Sequence, residues 1–175
     1  TPTTEPSTSP SSGATLIGPD SGGGNVRRND QATEAAWVSP TGNISCAIDH
    51  DELWCWAEQH TWRIPDFGCQ TDWGHSVVLW DGQVDYGCKG DPMCLSAVPG
   101  ETDPCGLGEH REPLWWARGS DPIAYSYEEP NKALPYGTSI QVRDIRCTSR
   151  KTGMDCLSLS TGRGFLMSRD RLELR

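Results

Sequence analysis

The sequence predicts an all-β fold: a small disulfide-stapled β-sandwich or barrel built of hairpins, with little helix. Three observations lead there. From Ala35 onward, short β-type runs alternate with turn signals. The 8 cysteines are even in number and contain no C-x-x-C pair, so they read as disulfides of an oxidising compartment rather than as zinc ligands. Leu, Ile, Val and Phe supply only 28 of 175 residues, or 16%. Such a composition with net charge −9 would signal disorder, were it not for 8 Trp.

In order along the chain, residues 1–34 are assigned to a flexible tether and 35–175 to one disulfide-rich β domain. The first 25 residues hold 19 of Thr, Ser, Pro or Gly, too little apolar surface to offset the entropy of ordering. The strands are expected at Ala36 to Val38, Asn43 to Ile48, Leu53 to Ala57, Ser76 to Trp80, Gln83 to Cys88, Ile123 to Tyr127, Ser139 to Arg143, Ile145 to Thr148, Met154 to Leu159 and Gly164 to Met167. Between them stand Pro40-Thr41-Gly42, Asp81-Gly82, Lys151-Thr152-Gly153 and Thr161-Gly162-Arg163-Gly164. Asp81-Gly82 is the strongest hairpin signal, because a two-residue turn requires positive φ. Only Ser168 to Leu172 invites a helix, of one or two turns. A long loop spans about residues 90–122.

The sequence echoes itself. Ile44-Ser45-Cys46 precedes Cys55 by eight intervening residues, and Ile145-Arg146-Cys147 precedes Cys156 by the same interval. In a hairpin of that length, cysteines facing each other at a non-hydrogen-bonded position lie at the spacing a disulfide needs. The expected bridges are Cys46 with Cys55 and Cys147 with Cys156, then Cys69 with Cys88 and, inside the long loop, Cys94 with Cys105. Eight cysteines allow 105 connectivities, and this is the most local scheme.

Charge is uneven: 20 acidic and 7 basic side chains precede residue 141, against 4 and 8 after it. The acidic body argues against nucleic acid as a partner. The C-terminal arginines either pair with that body or meet an anionic polymer or lipid head group; pairing is the ordinary behaviour of surface charge. No apolar run reaches the length of a transmembrane helix. The polar start is expected to mark a mature form whose targeting segment has been removed.

The ligand-binding candidates are Trp54, Trp56, Trp62, Trp73, Trp115 and Trp116. Trp54 and Trp56 flank Cys55 and so project to one face of a strand. With Trp62, Trp73 and Trp80 they can form a platform for sugar rings, with Asn43, Glu58, Gln59 and Asp72 as polar neighbours. The competing expectation is that the tryptophans build the core, since Trp buries more area than any other side chain. Trp115 and Trp116 end the long loop, as a binding tip or as a lid folded onto the core. His50, His60, His75 and His110 lack metal-ligand spacing. Asp49-His50-Asp51-Glu52 lacks the glycine-punctuated spacing of a calcium loop and reads as a solvated turn. No catalytic residue, metal or cofactor is assigned. Carboxylates such as Glu58 and Asp72 leave a wall-directed hydrolase as the alternative.

The run Ser39-Pro40-Thr41-Gly42-Asn43-Ile44-Ser45-Cys46, with Trp73-Gly74, Tyr86-Gly87-Cys88, Gly90-Asp91, Leu134-Pro135-Tyr136-Gly137, Cys147, Gly153-Met154-Asp155-Cys156 and Thr161-Gly162-Arg163-Gly164-Phe165, resembles a family of small secreted proteins and lipoproteins of actinobacteria, with no established activity. The chain departs from it at Arg163, where members often carry His, and in the extra Cys94 and Cys105. The resemblance implies an envelope location and a six-cysteine β domain, with any lipid anchor upstream of Thr1. The expected function is a monomeric, non-catalytic extracellular or envelope module that binds wall glycan or an envelope protein. A structural or accessory lipoprotein is the third alternative.

Overall fold

The computed structural model describes residues 25–65, 68–69, 74–89 and 95–175. Among them are thirteen strands and no α-helix. They run β1 Asn25–Arg28, β2 Glu34–Val38, β3 Ile44–Asp49, β4 Glu52–Ala57, β5 His75–Trp80, β6 Gln83–Cys88, β7 Ile123–Ser126, β8 Glu129–Lys132, β9 Thr138–Val142, β10 Ile145–Arg150, β11 Gly153–Ser158, β12 Gly164–Met167 and β13 Leu172–Leu174. One sheet has the order β2-β3-β4-β5-β6, a second β1-β9-β10-β11-β12-β13, and β7-β8 is a separate hairpin.

The echo in the sequence is an echo in space. Each large sheet contains a five-stranded meander with a disulfide between its second and third strands. Cys46 stands opposite Cys55 and Cys147 opposite Cys156. Both bridges form, with Cα–Cα distances of 4.2 and 4.1 Å, the close approach of a non-hydrogen-bonded pair. Through them run two matching rows of paired residues, Trp37-Cys46-Cys55-Val77-Tyr86 and Ile140-Cys147-Cys156-Phe165-Leu174. The sheets pack face to face, and the Sγ atoms of Cys46, Cys55 and Cys156 lie within 4.8 Å of one another. The sandwich is therefore centred on two cystines, surrounded by buried Trp37, Leu53, Leu79, Met154, Phe165 and Met167. Because each sulfur is bonded to another, none offers the thiolate a metal would bind. The third predicted bridge, Cys69–Cys88, also forms and ties the β4–β5 connection to β6. Cys94 lies outside the described residues; Cys105 is disulfide-bonded.

Two expectations are corrected. Residues 25–34, assigned to the tether, belong to the domain: β1 pairs in parallel with β9 from Asn25–Thr138 to Arg28–Gln141. Polar composition concealed this, because β1 is held, beyond its ladder to β9, by Arg27, only 7% exposed and bonded to the equally buried Asp121. The helix expected at Ser168 to Leu172 is instead a tight turn followed by β13, which pairs with β12. An edge of the sheet was available there, and ladder bonds replaced those of a short helix that could not have sustained itself.

The segment from 95 to 134 forms a second layer over β2 and β3. Leu95, Ala97, Ala124 and Ala133 bury Ala36, Val38 and Ala47. Its middle also closes the edge of β2: Ala36 N–H donates to Pro113 O, and the indoles of Trp115 and Trp116 donate to Glu34 O and Ala36 O. Gly42, in the turn between β2 and β3, has φ +76° and lies so near this layer that an added Cβ would stand 2.0 Å from Tyr125 O.

Candidate functional site

Two-residue turns shape one end of the sandwich. His50-Asp51 joins β3 to β4, Asp81-Gly82 joins β5 to β6, and Arg143-Asp144 joins β9 to β10. His50, Asp81, Gly82 and Arg143 all take positive φ there. The loop between β11 and β12 folds against them, with Thr161 Oγ1 donating to Gly82 O at 2.9 Å. A Cβ on Gly82 would come within 2.6 Å of Thr161 Cγ2, so the predicted Asp81-Gly82 signal serves contact between sheets as well as the turn.

These turns enclose a cleft of about 780 Å³. Asp49, Asp51, Glu52, Asp81 and Asp144 give it an acidic wall, and Trp54 and Trp80 an aromatic one. Trp54 pairs with Val78 and Trp80 with Glu52, which makes the two tryptophans diagonal neighbours on one face of adjacent strands, roughly 7–8 Å apart. Trp80 is 55% exposed and Trp54 partly so.

The carboxylates divide by role. Asp144 accepts from the Ser158 hydroxyl and from both N–H and hydroxyl of Ser160, so it holds the loop. Asp51 pairs with Arg143 at 2.9 Å, and Asp49 accepts from His50 at 2.7 Å. Among the described residues, Glu52 and Asp81 make no side-chain bond and remain open to a ligand.

The structure separates the predicted tryptophans. Among the described residues, Trp54 alone of the predicted tryptophans lines this cleft, and its companion is Trp80. Trp54 and Trp56 do share a face, but Trp56 lies beside Lys89, whose ammonium is 5.0 Å from its ring and 4.3 Å from that of Tyr127. This cation holds the β7–β8 hairpin to the sheet. Trp62 is stacked on His60 at 3.8 Å, and its indole donates to Ser168 O at 2.7 Å, joining the two sheets. Trp115 is half-buried with its indole committed to β2, and Trp116 is 2% exposed. Of the two alternatives expected there, tip or lid, the contacts are those of a lid, because the edge of β2 needed hydrogen-bond partners. Trp73 and Asp72 lie outside the described residues.

Two of the predicted polar neighbours, Glu58 and Asn43, are structural. Glu58 accepts from Ser126 Oγ and Tyr127 N, and Asn43 exchanges two bonds with the Gln59 backbone. The acidic turn Asp49 to Glu52, read from the sequence as merely solvated, forms part of this cleft of about 780 Å³. Its signal was invisible because the partner turns lie some 30 and 95 residues away in sequence.

No family model, curated protein or solved structure matches the chain.

Proposed function

We propose that the protein is an extracellular binding module of the cell envelope that takes neutral glycan on the Trp54–Trp80 face at the mouth of the acidic cleft. The observation that carries this reading is the exposure of Trp80, on the strand next to Trp54, in a chain so short of apolar residues that its other described tryptophans are at least half-buried. A large aromatic kept in water beside a second one, at a concavity, is what a stacking surface requires. Sugar rings stack on indole faces, while Glu52 and Asp81 accept hydroxyl protons. The negative wall also repels polyanions, which favours neutral saccharides. Disulfides support secretion. Among the described residues no helix is long and apolar enough to cross a membrane.

Titration with soluble oligosaccharides from cell walls, followed by Trp fluorescence and NMR, tests the reading. Binding should weaken about tenfold or more in Trp80→Ala, the loss of roughly 1–3 kcal/mol expected of a ring-stacking aromatic. An unchanged titration curve in that variant refutes it, and turnover of the oligosaccharides would assign the cleft to hydrolysis instead.

A further inference from the structure

The opposite end of the sandwich has the opposite character. The β2–β3 turn, Gln59 just beyond β4, the β10–β11 turn and the β12–β13 turn enclose a second cleft of about 580 Å³. Arg150, Lys151 and Arg169 line it against the single carboxylate of Asp170. This is a net positive site on a chain of net charge −9. The site's two arginines are already paired, Arg150 with Asp155 and Arg169 with Asp170, each at 3.1 Å, as are Arg143 with Asp51, Arg171 with Glu173 and Arg175 with Asp155. Lys151, at the turn tip, makes no ion pair among the described residues.

A second, independent feature points to a ligand. Ser149 lines this cleft from the inward face of β10, is 1% exposed, and its Oγ has no hydrogen-bond partner among the described residues. Buried hydroxyls are ordinarily paired, and an exception calls for a reason. Ala at this position would remove the unmet bond without loss of packing volume elsewhere. Ile44 and Met154 supply apolar lining beside it, and the Tyr136 ring stands at the rim, 43% exposed. The space far exceeds that of an inorganic phosphate, and it joins cations to hydroxyls and a carbon-lined base.

We infer that this cleft binds a polyol phosphate. Lys151 meets the phosphate oxygens, with Arg169, held by Asp170, at their side, and the hydroxyls of Ser149 and Tyr136 bond to those of the polyol. A phosphate oxygen or alcohol is an acceptor for the Ser149 proton, and cation-to-phosphate bonds are the stronger kind. This site is independent of the glycan reading at the other end, and its ligand is one that the acidic cleft repels.

The test is an amide NMR titration of the intact chain with glycerol 3-phosphate, with glycerol and inorganic phosphate as controls, and with phosphatidylglycerol vesicles. Saturable shifts at Ser149, Lys151 and Arg169 with glycerol 3-phosphate, weaker with either control, support the proposal and assign a free ester. The same response to vesicles alone supports it and assigns a lipid head group. Lys151→Gln should weaken binding about tenfold. Ser149→Ala should weaken it too while raising the melting temperature, the signature of a residue kept for function at a cost in stability. No saturable response to either ligand, equal response to inorganic phosphate, or unchanged affinity in Lys151→Gln overturns it.

Discussion

Arg27 and Asp121 form a bidentate pair whose side chains are 6% and 3% exposed, and they join strand β1 to the end of the long loop. Arg27 also donates to Trp116 O at 3.2 Å, with its guanidinium 5.7 Å from that ring. The Arg27 hydrogen bond holds the Asp121 carboxyl below its ordinary 3.8, against the opposing pull of burial. A carboxyl lowered in the folded state contributes stability that is present above its unfolded pKa and lost as pH falls through the folded one. Denaturant titrations should therefore show a loss of stability setting in below about pH 4 that is weaker in Asp121→Asn. At neutral pH the same variant should lose roughly 3–5 kcal/mol, because it leaves Arg27 buried without its counter-charge. Equal acid limbs in the two proteins would refute the assignment.

At the scale of elements, edges decide the arrangement. The meander of β2 to β6 ends in β2, whose outward backbone groups are taken by Pro113, Trp115 and Trp116. The other meander ends in β9, and β1 covers it. Each is a protected edge, and strand β1 and the loop lock one another through Arg27, Asp121 and Trp116. Trp116→Ala should cost about 3–5 kcal/mol, as buried Trp truncations do, and should speed amide exchange at Ala36, whose N–H bonds to Pro113. Trp80→Ala, at an exposed position, should change stability by about 0.5 kcal/mol or less. Comparable losses in the two variants would mean that Trp80 is a packing residue, and the glycan site would lose its main support.

For the whole molecule, the two cystines replace the aliphatic bulk that the chain lacks. Each closes a hairpin with a sequence separation of 9, for which loop-closure entropy amounts to about 2.7 kcal/mol. The Cys147→Ala, Cys156→Ala double variant should thus melt roughly 5–11 °C lower, at about 2–4 °C per kcal/mol for a domain of this size. Its partner cystine in the other sheet should remain intact on non-reducing peptide mapping. A drop of under about 2 °C would show the bridge to be a minor contributor. The sandwich also separates charge by end, acidic turns at one and basic turns at the other, so one small domain presents two clefts of opposite sign.

What depends on near neighbours could be read from the sequence. Ten of thirteen strands, the Asp81-Gly82 hairpin and three disulfides were legible because pairing, turn geometry and bridge spacing act within about twenty residues. It missed β8, where Pro130 and Asn131 speak against a strand yet are tolerated in a two-stranded hairpin; β13, expected as a helical turn; and β1, whose polar residues needed a distant Asp121. Only the tertiary structure decided which tryptophans face water. Trp116 and Trp80 are the same residue type in similar company, but one is drawn in by the unpaired edge of β2 and the other is left out on a sheet face. Likewise no local pattern brings Asp49, Asp81 and Asp144 together: three separate turns meet there because two meanders stack around their cystines.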